Sequence, residues 1–171
     1  MELHMNGQHP SSQTPAQADR SIQPLALILL LALAAVLFFV GLGSLGLTDR
    51  DEGRNAEAGR EMYETGNYIS PTFNYEPRFA KPVFVYWLMS LSYHVFGVSE
   101  FAARFPSAIF GVGLILLQYL FLTRCRGPVV GLFGAAMLLL NLEIIGLIRM
   151  ALTDSVLIFC TTLSLYGFWL G

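Results

Sequence analysis

Three long stretches without a charged residue constrain this chain more than any other feature of its sequence. They cover residues 21–48, 105–123 and 155–171. About 20 apolar residues in a helix span the ~30 Å hydrocarbon core of a bilayer, so stretches like these are typical of transmembrane helices. Only 13% of the 171 residues are charged, roughly half the share found in a soluble domain. The sequence therefore predicts an all-α integral membrane protein.

The apolar pattern predicts about four transmembrane helices, at residues 24–47, 101–123, 128–148 and 155–171. Residues 1–23 are rich in Ser, Gln, Pro and Ala, a composition that predicts a disordered tail, here placed on the cytoplasmic side. The tail is long, and the first apolar run exceeds the short hydrophobic region of a signal peptide. A retained membrane anchor is therefore favoured over cleavage.

The segment Pro82–Val98 has two interpretations, because its 17 residues would reach only ~25 Å as a helix. The basic loop Arg124–Gly127 is expected to be cytoplasmic. If Pro82–Val98 lies in the membrane interface, Asp154 and residues 49–81 are then both on the extracytoplasmic side. If it crosses the membrane, they lie on opposite sides. We favour the interfacial helix, with residues 48–100 as an extracytoplasmic loop. Its expected apolar face is Phe84, Trp87, Leu88, Leu91 and Val95, opposite Tyr86, Ser90 and Tyr93.

Residues 49–81, called the polar island below, hold 12 of the chain's 22 Asp, Glu, Lys and Arg residues. Thr48 and Asp51 have the spacing of a capping box, and Gly66 is placed to end a helix of about four turns. The following residues 67–77 contain two prolines and several aromatic residues, so an irregular loop is expected there.

Ionisable side chains in and near the polar island are the candidates for chemistry. Asp49, Asp51 and Glu52 could supply a general base or part of a metal site, but carboxylates at a helix start are also expected from the helix dipole alone. Lys81, at the water–membrane boundary, suits a lipid phosphate or a snorkelling anchor. Asp154 is a further candidate acid, with a helix start as its alternative explanation.

Other residues give weaker indications. Glu143 lies inside the apolar run 132–148, where ionisable groups are usually partnered or functional, and Arg149 is a candidate partner. Cys125 and Cys160 are predicted to be small buried side chains. The three histidines show no ligand spacing, and the sequence has no glycine-rich nucleotide loop, Ser-His-Asp set or cysteine cluster. A net charge of −2 without a basic patch gives no indication of nucleic acid.

Four spaced motifs run through the polar island and just beyond it. They are Asp-Glu-Gly-Arg-Asn-Ala-Glu-Ala-Gly-Arg-Glu-Met at 51–62, Gly-Asn-Tyr at 66–68, Lys-Pro-Val-Phe-Val-Tyr-Trp-Leu at 81–88 and Phe-Gly-Val-Ser-Glu-Phe-Ala-Ala-Arg-Phe-Pro at 96–106. This pattern resembles the first extracytoplasmic loop of the GT-C membrane glycosyltransferases. Among them, the lipid A aminoarabinose transferases and the dolichyl-phosphate-mannose protein mannosyltransferase-like proteins are the most similar.

The resemblance implies transfer of a sugar from a polyprenyl phosphate, with inversion, to an extracytoplasmic acceptor. Asp51 matches the general base, Glu52 completes its acidic motif, Lys81 matches the cation near the donor phosphate, and Asp154 matches an acid of the second external loop. Interfacial helices between the first two spans are also typical of the family. The expected site is therefore catalytic Asp51, Glu52 and Asp154, with Lys81, Arg78 and Arg104 binding the donor phosphate.

Two departures from the family pattern qualify this expectation. Many relatives carry Glu immediately before the lysine, where this chain has Ala80, so any metal-binding role of that Glu is absent or has moved to Glu76. No metal ligands are assigned, and a divalent metal requirement stays open. Relatives also run to several hundred residues, so the chain is expected to be a truncated, N-terminal portion of a GT-C enzyme.

The expected function is a glycosyltransferase with a polyprenyl-phosphate sugar donor, embedded among membrane lipids, whose acceptor is a lipid, glycan or protein. It is expected to be a multi-pass protein of the cell membrane with its site on the extracytoplasmic side. One alternative is a non-catalytic, truncated membrane homologue. Another is part of a transporter or flippase, with Glu143 and Asp154 on an ion path. The sequence names neither the sugar nor the acceptor.

Overall fold

The computed structural model describes the backbone of residues 15–171 and the side chains of residues 24–171. Seven α-helices and one short hairpin make up this part of the chain. In order they are α1 (Pro15–Phe39), α2 (Arg50–Thr65), β1 (Thr72–Phe73), β2 (Glu76–Pro77), α3 (Val83–Phe96), α4 (Glu100–Arg126), α5 (Pro128–Leu139), α6 (Leu142–Ile148) and α7 (Asp154–Leu170). Of the predicted tail, residues 1–14 lie outside the described residues. Residues 15–23 are helical, so the expected disorder is wrong for them.

The first apolar helix is shorter than the predicted span, because α1 ends at Phe39 and not at Leu47. The next residues include Gly41, with φ of +67°, and two further glycines, which make a helix costly to continue. Residues 40–48 therefore form an irregular connection into α2. This connection carries backbone carbonyls that the site described below uses.

Helix α3 exposes most of its predicted apolar face, although Leu88 of that face is partly buried. Phe84, Trp87, Leu91 and Val95 are exposed, while the face bearing Tyr86, Ser90 and Tyr93 is buried. The Tyr93 hydroxyl donates to the Ala56 carbonyl of α2 at 3.1 Å. At 14 residues, or ~21 Å, α3 is too short to cross a ~30 Å hydrocarbon core. These features favour the interfacial placement, which stays a prediction.

Helix α4 is the one described helix that is by itself long and apolar enough to cross a membrane. Its 27 residues would extend ~40 Å, and it covers the whole of the predicted segment 101–123. The apolar parts of α1 and α7 are shorter, and α5 and α6 could form a second span only as a bent pair. The count of four spans therefore stays a prediction.

The predicted span 128–148 is wrong as a continuous helix. It is broken after Leu139 and resumes at Leu142, with α5 and α6 bent by 67°. Asn141 forms the break, since its side chain accepts from the amides of Glu143 and Ile144 and so caps α6. Glu143 is exposed in the first turn of α6, and not inside a continuous apolar helix as the sequence predicted.

The packing centres on α4, which contacts α1, α3, α5 and α7. Small residues allow close approach, as is common between membrane helices. A Cβ atom on Gly131 of α5 would lie 2.9 Å from the Tyr119 carbonyl oxygen, and one on Gly59 of α2 would lie 2.8 Å from the Met89 Cβ. Because Gly59 has no side chain, α2 can pack closely on the buried face of α3. The polar island therefore sits on one end of the bundle.

Candidate active site

The three carboxylates that follow α1 have three different roles in the structure. Asp49 is the N-cap of α2, because its side chain accepts from the amides of Asp51 and Glu52 at 2.8 and 3.3 Å. The capping box predicted at Thr48 and Asp51 is therefore wrong by one residue. Gly66 ends the helix in the left-handed conformation, with φ of 69°, as the sequence predicted.

Glu52 is fully buried, with 0% of its surface exposed, and it forms an ion pair with Arg104. The two Arg104 nitrogens lie 2.7 and 3.0 Å from the two carboxylate oxygens. The amides of Ala151 and Thr48 also donate to Glu52, at 2.9 and 3.2 Å. Burial acts to raise the pKa of Glu52, but the hydrogen bonds from Arg104 and Ala151 outweigh it and hold this pKa below its ordinary value. Glu52 is therefore an ionised structural anchor.

Arg104 uses all of its donors within the protein. A guanidinium has five N–H groups. Beyond the two that face Glu52, three more bonds run to the carbonyls of Leu42, Leu45 and Gly46 at 2.7–2.9 Å. The side chain is also buried, at 5% exposure. A donor phosphate at Arg104 would have to displace bonds that hold the connection between α1 and α2, so this geometry does not favour the predicted phosphate-binding role of Arg104.

The loop between α6 and α7 is clamped to α2 at a single residue, Ala151. Its amide donates to Glu52, and its carbonyl accepts from the Asn55 side chain at 3.2 Å. Asp154 begins α7 three residues later and is half-buried. The polar island and Asp154 thus lie at the same end of the bundle, as the interfacial interpretation of Pro82–Val98 requires.

Of the three carboxylates, Asp51 is the one that neither caps α2 nor pairs with Arg104. Its side chain is 49% exposed, and its nearest cation is Arg54, one turn along α2, at 3.6 Å. That exposed pair contributes little to stability. Unlike Asp49 and Glu52, Asp51 can therefore take part in chemistry without any loss of a cap or an anchor.

Arg78 and Lys81 lie between the hairpin and α3. Arg78 stands over the Phe73 ring at 5.5 Å, and its Nε lies 3.5 Å from the Tyr86 hydroxyl. The Lys81 side chain is half-buried. Among the described side chains, neither cation pairs with a carboxylate. Both are therefore available to an anion.

The sequence analysis did not single out Glu61, and it gave Arg149 the wrong candidate partner. Glu61 is a buried carboxylate that binds the hairpin, and nothing in its local spacing separates it from the other glutamates of α2. Arg149 does not pair with Glu143, since it donates to the carbonyls of Leu37 and Val40 and so caps the last turn of α1. The Arg149 contacts join residues 109 and 112 positions apart, and the Glu61 contacts reach a hairpin 11 to 14 residues further along the chain, so helical spacing gives no sign of either.

No three His, Cys, Asp or Glu side chains in the described part of the chain form a set that could hold a metal ion. Glu76, the residue to which a metal-binding role could have moved, lies in β2 of the hairpin and is exposed.

Comparison with known proteins places these residues in a family. A family model described as dolichyl-phosphate-mannose-protein mannosyltransferase matches residues 24–171. An uncharacterized protein of Aquifex aeolicus is 45% identical over 93 residues, which are 54% of this chain and 22% of that one. The undecaprenyl phosphate-alpha-4-amino-4-deoxy-L-arabinose arabinosyl transferase 2 of Pseudomonas fluorescens is 36% identical over 146 residues, 84% of this chain and 26% of that one.

A solved structure agrees with this assignment. ArnT from Cupriavidus metallidurans, bound to undecaprenyl phosphate, superposes with a TM-score of 0.78 at 29% identity, covering 82% of this chain and 26% of that one. The chain thus spans about a quarter of the length of such relatives. Members of this family are integral membrane proteins. The extent of the match and the likeness in structure show that the chain belongs to the dolichyl-phosphate-mannose-protein mannosyltransferase family, among the GT-C membrane glycosyltransferases.

Proposed function

We propose that this protein is an inverting glycosyltransferase, or the part of one that carries its general base. It moves a sugar from a polyprenyl-phosphate donor to an extracytoplasmic lipid, glycan or protein. The relatives' names and the undecaprenyl phosphate bound to ArnT support the donor class.

One observation supports the proposal: each acid beside Asp51 already has partners in the framework of the fold. Asp49 caps α2, and Glu52 neutralises Arg104. The alternative explanation of the acidic motif, a capped and solvated helix start, also accommodates Asp51 in the first turn, but it predicts that Asp51 can be replaced without loss of activity, so the substitution below separates the two. Asp51 is half-exposed, so an acceptor hydroxyl can come within hydrogen-bond reach of its carboxylate.

The step that we propose conserves atoms and charge. The acceptor oxygen attacks the anomeric carbon on the face opposite the phosphate, and its proton passes to the Asp51 carboxylate. The bond between the anomeric carbon and the phosphate oxygen breaks, and its electron pair stays on the departing polyprenyl phosphate. Lys81, with Arg78, stabilises that negative charge, and Asp154 lines the same end of the bundle. Glu52 and Arg104 hold the framework and do not touch substrate.

The groove between α3 and α4 supports a lipid-linked donor. It has a volume of about 350 Å³ and is lined by apolar side chains of both helices, including Leu88, Leu91, Phe105 and Ile109. Leu88 is seven residues past Lys81, or ~10 Å along a helix. A prenyl chain with its phosphate at Lys81 could therefore enter this groove.

The test compares two nearby aspartates, Asp49 and Asp51, in the full protein in membranes. Asp51→Asn removes the base and is expected to abolish transfer from a polyprenyl-phosphate sugar, measured as labelled product, while the amount of inserted protein stays unchanged. Asp49→Asn is the matched control, since Asn caps a helix about as well as Asp, and it is expected to keep near wild-type activity. Near wild-type turnover by Asp51→Asn would refute the assignment of the base.

A further inference from the structure

Glu61 is a buried carboxylate whose partners all lie in the hairpin Thr72–Pro77. It is 0% exposed. The Thr72 hydroxyl donates to it at 2.5 Å, and the Tyr75 amide lies 3.2 Å from both carboxylate oxygens. Within the described residues, no Lys, Arg or His forms an ion pair with it. A buried carboxylate with only neutral donors is a costly way to gain stability, so its value is expected to lie in what it positions.

The hairpin needs such an anchor. Each of its strands has two residues, and a two-stranded ribbon alone is marginal in water. Both turn residues, Asn74 and Tyr75, have left-handed φ values of 53° and 62°. For Tyr75 this conformation costs roughly 1–2 kcal/mol. The amide that Glu61 accepts from belongs to Tyr75, so the carboxylate stabilises this particular turn.

The anchored hairpin in turn places the cations of the proposed site. Phe73, next to Thr72 in β1, lies under the Arg78 guanidinium. The Arg78 amide donates to the Pro71 carbonyl at 2.8 Å, immediately before β1. Lys81 follows three residues later, two residues before α3 begins. Contacts therefore run from Glu61 through β1 to Arg78, and the chain continues from there to Lys81.

We propose that Glu61 is a positioning residue, which holds the hairpin on α2 and thereby sets Arg78 and Lys81 to bind the phosphate of a polyprenyl phosphate. This inference rests on the proposed function. Glu61 itself touches neither substrate nor the reacting atoms. Its loss leaves the two cations in the protein but no longer held in one place.

The experiment uses the full protein in detergent micelles, with Glu61→Ala, Glu61→Gln and the control Glu64→Ala. Glu64 is on the same helix but exposed, and it pairs with Arg60. In Glu61→Ala, amide hydrogen exchange at residues 71–78 is expected to accelerate, and affinity for undecaprenyl phosphate to fall about tenfold, the size of one lost net hydrogen bond. Glu61→Gln keeps an acceptor and should recover part of both, and Glu64→Ala should change neither.

A double-mutant cycle shows whether the effect passes through the cations. In a background with Arg78→Ala and Lys81→Ala, Glu61→Ala is expected to cause no further loss of affinity. If Glu61→Ala does not accumulate, Thr72→Val removes the shortest of these bonds without touching α2 and should give a smaller loss of the same kind.

The outcomes separate this inference from the proposed function. Unchanged hydrogen exchange, or faster exchange with wild-type affinity, would overturn the role of Glu61 alone, as would a full additional loss in the double-mutant background. A wild-type protein that binds undecaprenyl phosphate no more tightly than the prenyl alcohol would overturn both.

Discussion

Glu52→Gln is the substitution whose effect follows most directly from the structure. It keeps the size of the side chain and removes the charge that faces Arg104. Gln presents an NH₂ group where an oxygen now accepts, so one of the two bonds from Arg104 and one from the backbone are lost. Arg104 is then left buried, at 5% exposure, without a counter-charge.

The expected loss of unfolding free energy is set by the buried charge of Arg104, which remains without its counter-charge. Removal of one partner of a buried ion pair typically costs about 3–5 kcal/mol. Since three carbonyls still accept from Arg104, we expect the lower end, about 3 kcal/mol, for Glu52→Gln. Glu52→Ala also leaves a cavity and should approach the upper end.

The measurement is the free energy of unfolding by denaturant titration in mild detergent. The matched control is Glu57→Gln. Glu57 also contacts an arginine through both oxygens, at 2.5 and 2.9 Å, but its side chain is 30% exposed. Such a pair contributes at most about 1 kcal/mol. If Glu52→Gln and Glu57→Gln lose the same free energy, the argument that Glu52 anchors the fold by buried charge is wrong.

Three further predictions concern pH, topology and packing. The folded-state pKa of Glu52 is held below its ordinary 4.5. The contribution of the Glu52 carboxylate to the unfolding free energy should therefore be complete above pH 4.5 and be lost as the pH falls through the lowered pKa. Glu52→Gln should show a weaker acid dependence of the unfolding free energy. With both native cysteines replaced by serine, Asp51→Cys and Asp154→Cys should react with an impermeant maleimide from the same, extracytoplasmic side, and labelling from opposite sides would contradict the interfacial helix. Gly131→Val should lose about 1–3 kcal/mol by overpacking against α4, whereas Gly146→Ala, where a Cβ meets nothing within 4 Å, should be neutral or stabilising in the same titration.

Much of the secondary structure follows from local pattern. The bounds of α2 were close to prediction, since an N-cap and a C′ glycine act within one turn of the helix. The prediction missed where local signals conflict. The glycines after Phe39 ended α1 inside an apolar run, and Asn141 broke another. The hairpin at 72–77 was missed because neither Asn74 nor Tyr75 is a glycine.

The candidate site divides in the same way. By itself, the sequence determined the membrane class, the dense polar island and the motifs that gave the family, because composition and short spacing carry that information. It could not tell Asp49, Asp51 and Glu52 apart, since three acids at one helix start have the same local environment. Their hydrogen-bond partners distinguish them, and those of Glu52 are distant in the chain: Arg104 and Ala151 lie 52 and 99 residues from Glu52. Only the tertiary structure brings these groups together, and with them it shows that Arg104 holds the fold while Asp51 keeps only an exposed pair with Arg54.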